Sequence, residues 1–546
     1  MQQALELGAK ISDLKWAHEN RCIIYFDPQL YPDVPLHTLR SDTDGKRFEE
    51  WEAARLRLLP KKGDLSLCKN WRGISLLDIS SKIFSTILVT RGMKVYEEVG
   101  SEEQNGFRCD RGTIDGLFTL RMALCKRREH NIDTWVLFID LVKAFDSVNH
   151  EALFLILQKY GMPDHFINLI IRLHDRAKIN LDIGNVDSSI DVSIGVRQGS
   201  CEGPMLFLFM MLAAMDTLKM PDHISKPKFM FDDKHGLIGT NYRIKRKTTC
   251  FEFFHNLFAD DCAIMFESRE HLIEGTDIIY AHLKKFGLTM HCGRNGAKSK
   301  TEAMYVPSSM NQYDDADTTD YVVDTTGSVH FTKTFKYLGS LVDSAMNCDV
   351  EIDARIRAAT KAFGALSGVF HDRDLPKKIK GELYQILITT ILLYGCETWN
   401  AREDSLRKLR TCHRRFIRSI LRITPWQMHK AHITSDDLER KLNVPNVIDA
   451  CRSRLLKWVG KMCLMPETRL PRRMMTCWVR NPRKIGRPYM TWGSTVNNAL
   501  RYYSIPEKFD EWRYLPVIDN DEWCKCVEPW REVIHGEGDD DLISLI

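Results

Sequence analysis

The spacing of apolar and polar positions along this chain changes period several times, and each change marks an element. Trp135-Val136-Leu137-Phe138-Ile139 is an unbroken apolar run ending at Asp140, the pattern of a buried strand that delivers an acid from its carboxyl end. Leu153, Leu155, Ile156 and Leu157 follow at helical spacing, with Asn149 placed to cap that helix and Gly161 to stop it. Farther on, Leu257-Phe258-Ala259 and Cys262-Ala263-Ile264-Met265-Phe266 are separated only by Asp260 and Asp261. Two apolar runs so divided predict a β-hairpin with both carboxylates at its tip. Helical spacing is also read over 48–59, 80–91, 116–126 and 272–286, at Ile352, Ile356, Ala359 and Phe363, and at Leu406, Leu409, Phe416, Ile417 and Ile420.

Two unit charges about 4 Å apart repel by roughly 4 kcal/mol at an effective dielectric of about 20. A fold tolerates this when the tip is fully hydrated or when a divalent cation sits between the charges. A solvated acidic turn is the plain reading of an Asp-Asp pair, but it leaves Asp140 unexplained. Three carboxylates, with the backbone carbonyl of Leu141 as a further hard oxygen, suffice to hold two magnesium ions. Two such ions are the standard device for in-line phosphoryl transfer.

Composition narrows the setting. At 546 residues the chain has room for two to four structural units, and 44% hydrophobic with 27% charged residues is ordinary for a folded soluble protein. The net charge of +4 does not announce nucleic acid, so any such signal must be local. The strongest local signal lies at Arg407, Arg410, Arg414, Arg415 and Arg418, around the apolar stripe of one helix. The sixteen cysteines form no C-x-x-C pairs, and the N-terminus has no signal-peptide core. No apolar run approaches the ~20 residues of a membrane span. These features point to an intracellular protein of nucleus or cytoplasm, not secreted, with reduced thiols and no membrane. Cys451, Cys463, Cys477, Cys524 and Cys526 lack ligand spacing with histidines, so no zinc is expected.

The motifs taken together resemble the reverse transcriptase of LINE-type (non-LTR) retrotransposons. The resemblance rests on FIDLVKAFDSVNH from Phe138, GVRQGSCEGPMLF from Gly195 and FADD from Phe258, in the family's order. It implies an α+β right-hand polymerase, with α-helical and loop-rich fingers, a palm with a β-sheet, a helical thumb and a helical C-terminal region. It further implies an N-terminal linker or remnant over 1–45, fingers and palm over 46–343, a thumb and basic helical region over 344–430, and a C-terminal region of unknown role over 431–546. The family usually carries an endonuclease upstream, and nothing here could house one, so a truncated element or a fragment of a longer reading frame is implied, with an endonuclease supplied elsewhere. The expected reaction is RNA-directed DNA synthesis from an RNA template, a DNA primer and dNTPs.

By resemblance, Asp140, Asp260 and Asp261 hold two Mg²⁺ ions, a place Mn²⁺ can also take, with Leu141 as a backbone ligand. Arg72 contacts the triphosphate, with Lys61 as second candidate, since a guanidinium fork matches phosphate oxygens. Phe145 lies under the sugar and rejects a 2′-hydroxyl, while Gln198 and Gly199 meet the nucleotide. Lys300, in a K-T-x-x-M match, acts on the leaving pyrophosphate, with Lys298 competing for register. The stretch at Phe335–Gly339 resembles a primer-grip hairpin, and Pro204 is expected to start a helix. Two rivals remain: a catalytically decayed or domesticated nucleic-acid-binding relative, and a group II intron-type reverse transcriptase. The intact acidic triad argues against the first; Tyr394-Gly395-Cys396-Glu397-Thr398-Trp399 and Gly486-Arg487-Pro488 argue against the second.

Overall fold

A computed structural model describes residues 53–527 apart from 62–63, 68–69, 175–176, 184–185, 198, 232–248, 294–297, 314, 316–317, 325–326, 482–490 and 506–519. The basic run Arg243–Lys247, Asn295, Gln198, Gly486-Arg487-Pro488 and the acidic tail Asp539-Asp540-Asp541 lie outside the described residues.

The described strands are β1 (Ala53–Pro60), β2 (Trp71–Leu76), β3 (Thr134–Ile139), β4 (Lys178–Ile183), β5 (Val186–Asp191), β6 (Lys228–Phe231), β7 (Thr249–Glu252), β8 (His255–Phe258), β9 (Asp261–Phe266), β10 (Glu302–Val306), β11 (Tyr321–Val323), β12 (Gly327–Phe331), β13 (Thr334–Tyr337) and β14 (Ser340–Asp343). The helices that matter below are α1 (Ile79–Val99), α2 (Thr113–Glu129), α3 (His150–Lys159), α4 (Asp164–His174), α5 (Glu202–Asp216), α6 (Arg269–Lys285), α7 (Asp349–Ala365), α8 (Glu403–Leu421), α9 (Pro425–Lys430), α10 (Ser435–Leu442), α11 (Val447–Leu464), α12 (Leu470–Thr476) and α13 (Trp492–Tyr502).

The chain divides into two compact units, the first drawn from Met1–Cys109, Asp140–Met220 and Asp277–His291, the second from Asp110–Ile139, Pro221–Thr276 and Cys292–Ile546. In the first unit a four-stranded sheet has the order β2-β1-β4-β5. This corrects two expectations. The segment 48–59 is strand where described, and the first unit, whose N-terminal part was expected to be helical and loop-rich, contains a sheet. Arg55-Leu56-Arg57-Leu58 alternates with period two, and pairing with β2 on one side and β4 on the other selects the extended form. Asn149 caps α3 through its side chain, which accepts the Ala152 N–H at 2.9 Å, and Gly161 follows at φ +82°. Helix α5 is buried all round from Met205 to Ala214 and packs against α1 and α3 as the hydrophobic centre of this unit. It begins at Glu202, two residues before the expected Pro204 start.

In the second unit six strands are ordered β11-β12-β10-β3-β9-β8, antiparallel except for β10 beside β12. Helix α2 and the C-terminal helices α11–α13 share one core with this sheet, through Phe118, Phe138, Met265, Met304, Trp458 and Trp492. A second core joins α7, α8, α10 and the start of α11 through Ile352, Phe363, Leu409, Phe416, Leu442 and Val447. That packing is continuous across residue 430. Trp399, Trp458 and Trp492 are buried core residues.

Candidate active site

The acidic hairpin forms as expected. Phe258 and Asp261 are the last register pair of β8 and β9, leaving Ala259 and Asp260 as a two-residue turn. Ala259 takes φ +56° while only 3% exposed, an uncommon conformation for a residue with a Cβ. Asp260 is half-buried, whereas Asp261 is exposed at the head of a strand whose next five residues are buried. Beneath the hairpin the Tyr337 hydroxyl donates to the Asn256 carbonyl at 3.0 Å, and the Asn256 amide donates to that hydroxyl at 3.2 Å and to the Gly116 carbonyl at 3.0 Å. Burial pushes the Tyr337 phenol far above its ordinary pKa, with Cys262 and Asp261 adding to the shift. The phenol therefore stays protonated and able to donate. A hairpin forms where one was expected around Phe335, with β13 and β14 joined through Leu338 and Gly339, both at positive φ.

The register of the central strands sets where site residues emerge. Ile139 pairs with Cys262, and Phe138 pairs with Glu302. The end of β3, the head of β9 and the head of β10 thus share one edge of the sheet. Asp140 is the next residue of the chain after Ile139, and Lys300 lies two residues before Glu302. Lys300 is exposed, while Lys298 is engaged with Glu302 at 3.3 Å.

In the first unit, Leu141 is buried and bridges Met290. The flanking bonds run from His291 N–H to the Asp140 carbonyl and from Val142 N–H to the Thr289 carbonyl, both 2.8 Å, so neither uses the Leu141 carbonyl. Phe145 is half-buried, stacked on the fully buried Phe207 at 4.5 Å and edge-on to Phe107 at 6.4 Å. Its carbonyl accepts the Val196 N–H at 2.8 Å, and the Gly195 N–H donates to the Val148 carbonyl at 2.7 Å. Gly195 sits at φ +86°, and a Cβ there would lie 2.7 Å from the Asp146 carbonyl oxygen. Gly199, at φ +108°, approaches β2 so closely that a Cβ would lie 2.5 Å from the Ser75 carbonyl oxygen. The Phe145 turn, the Gly195–Gly199 loop and the strand carrying exposed Arg72 are therefore adjacent. Lys61 is exposed just beyond β1, its N–H bonded to the Asn70 carbonyl at 2.7 Å.

One pair had no signal in the sequence. Arg197 and Glu202 face each other at 3.9 Å with side-chain exposures of 1% and 0%. Arg197 also donates to the Leu173 carbonyl at 3.1 Å, whereas neither Glu202 carboxylate oxygen has a hydrogen-bond partner. Burial lowers the Arg197 pKa, and Glu202 opposes that shift. This ion pair fastens the Gly195–Gly199 loop to the first turn of α5.

On α8 the expected stripe is buried at Leu409, Phe416, Ile417 and Ile420. Arg407 and Arg415 are exposed, and Arg410, Arg414 and Arg418 are half-buried. Part of this charge is answered locally, by Asp404 at 3.4 Å from Arg407, Glu403 at 3.9 Å from Arg410 and Asp353 at 2.9 Å from Lys408. Among the described residues, no group of three or more His, Cys, Asp or Glu side chains stands ready-made as a metal cage. No helix among them is long and apolar enough to cross a membrane.

An acidic β-hairpin beside a central strand that runs into an aspartate defines a polymerase-type palm. The family described as reverse transcriptase (RNA-dependent DNA polymerase) matches residues 59–342, and the chain belongs to it. Its relatives are proteins of LINE-type (non-LTR) elements. The chain is 35% identical to the Transposon TX1 uncharacterized 149 kDa protein of Xenopus laevis over 32% of this chain and 14% of that one. It is 32% identical to the retrovirus-related Pol polyprotein from type-1 retrotransposable element R2 of Popillia japonica, over 32% of this chain and 24% of that one. With the RNA-directed DNA polymerase from mobile element jockey of Drosophila melanogaster it shares 23% identity over 83% of this chain and 46% of that one. The chain spans less than half the length of each of these relatives.

Proposed function

We propose that this chain is the RNA-directed DNA polymerase of a non-LTR retrotransposon, extending a DNA primer along an RNA template with dNTPs. The observation that carries the reading is the register of β3 against β9, which sets the strand end leading into Asp140 beside the hairpin of Asp260 and Asp261. Asp140, Asp260 and Asp261 would hold two Mg²⁺ ions, with the Leu141 carbonyl as a further ligand. The donors are hard oxygens throughout and fit Mg²⁺ or Mn²⁺ in kind, and the assignment rests on the motifs and the strand register. When bound, such ions activate the primer 3′-hydroxyl and neutralise charge on the triphosphate.

The chain's own groups do the rest. Arg72, with Lys61, would grip the triphosphate, and Lys300 would give a proton to the departing pyrophosphate. Phe145, backed by Phe207, would sit under the sugar, and Gln198 and Gly199 would meet the nucleotide. Arg407, Arg410, Arg414, Arg415 and Arg418 would hold the backbone of the template–primer duplex. The work would be done inside the cell.

The test is primer extension on an RNA template with Mg²⁺ and dNTPs, comparing the intact chain with Asp261→Asn. Full-length DNA from the intact chain alone supports the reading. No product from either, with tight primer–template binding retained, would instead make the chain a decayed nucleic-acid-binding relative.

A further inference from the structure

We infer that the exposed ring of Trp426 is a stacking platform for an unpaired base of the nucleic acid held by α8, an inference that rests on the polymerase reading above. Trp426 is 67% exposed and is the one exposed tryptophan among the described residues. Its surroundings are firm. The turn after α8 puts Arg422 at φ +56° and bonds the Ile423 N–H to the Arg418 carbonyl at 3.0 Å. Thr424 and Gln427 then form a capping box at the head of α9, and the Ile433 N–H closes onto the Met428 carbonyl at 3.0 Å. Ile423, Met428 and Ile433 all pack against the core shared by α7, α8 and α10. Trp426 lies two residues before Met428, about 200° round the helix, so anchoring Met428 turns the indole outward.

The charge around that ring selects the partner. Between Asp404 and Asp436 the chain has no acidic residue and eight Lys or Arg. Lys430 Nζ lies 5.0 Å from the indole centroid, and Pro425, Gln427, His429 and Lys430 are exposed beside it. A rigid aromatic face beside Lys430, just past the arginine-bearing α8, matches a strand that offers a base to stack and a phosphate to pair. A protein-docking surface would present a wider apolar patch than one ring with polar neighbours.

The test measures binding of the full chain to fluorescein-labelled single-stranded RNA, to an RNA–DNA duplex with a single-stranded overhang and to the same duplex made blunt. Trp426→Ala weakens the first two about tenfold and leaves the blunt duplex unchanged, while Trp426→Phe stays within about twofold throughout. Arg407→Ala/Arg415→Ala weakens all three. If that double variant weakens binding and Trp426→Ala weakens none, stacking is overturned and the basic-face reading stands. If Trp426→Ala weakens the blunt duplex equally, the ring does not read unpaired bases and the inference fails. If neither variant alters binding, both readings fail. Loss of self-association in Trp426→Ala, with nucleic-acid affinity intact, would assign the ring to a second copy of this chain and overturn the inference.

Discussion

Ile139 of β3 and Cys262 of β9 are register partners in the centre of the six-stranded sheet. A slip of one residue would put the partners Phe138 and Ala263 on opposite faces of the sheet, so packing on both buried faces locks this pairing. The lock fixes how far the acidic hairpin reaches along β3, and so sets Asp261 level with the strand end that runs into Asp140.

The turn that carries the acids is sensitive at Ala259, which is buried with φ +56°. Ala259→Val adds a branched side chain to a left-handed position with no spare volume and is expected to destabilise the second unit by about 1–3 kcal/mol. Ala259→Gly should be close to neutral. Thermal denaturation of the two variants against the parent decides it, and a Val variant as stable as the parent would contradict the strained turn.

Phe145 stacks on Phe207 at 4.5 Å, so its ring cannot retreat from a sugar placed against it. Phe145→Val should raise incorporation of ribonucleotides relative to deoxynucleotides by about tenfold or more, while deoxynucleotide extension persists. Competition between rNTP and dNTP in primer extension reads this directly. Unchanged discrimination would leave Phe145 as packing alone.

The buried pair Arg197–Glu202 predicts strong non-additivity. Arg197→Met strands a fully buried carboxylate and should cost roughly 3–5 kcal/mol, whereas Arg197→Met/Glu202→Leu should recover most of that loss. Denaturant unfolding of both variants gives the coupling. Additive losses would mean that the two side chains do not act as a pair.

His413 is buried, its Nδ1 2.8 Å from the Tyr384 hydroxyl and its Nε2 3.6 Å from Glu439 Oε1. Burial first, and the neighbouring Arg414 second, push its pKa down to about 3. The unfolded chain takes up that proton near pH 6.5, so stability from this group is present above 6.5 and drains away as the pH falls toward 3. Glu439 has the opposite sign: burial raises it to about 7, so its contribution is full below the ordinary carboxyl range and is lost as pH rises through 7. The fall in melting temperature between pH 7 and pH 4 should therefore be shallower in His413→Gln than in the parent. Parallel curves would remove His413 from the account.

The sequence alone determined the elements with one strong period and the motifs built on them. The run into Asp140, the cap at Asn149, the hairpin around Asp260 and Asp261 and the amphipathic α8 are all local patterns, written in neighbouring residues. It misjudged β1, where the short alternation Arg55-Leu56-Arg57-Leu58 was outvoted by an apolar count that suits a helix, because strand pairing with β2 and β4 is a distant interaction. Tertiary structure alone decided that Gly199 must press against Ser75, that Arg197 is buried against Glu202, and that the C-terminal helices complete the core of the β3 sheet. It also decided which tryptophans are buried, and that Trp426 is turned out beside Lys430. Periodicity records which residues one element buries, but burial against a partner hundreds of residues away depends on where the chain returns, and no local spacing encodes that.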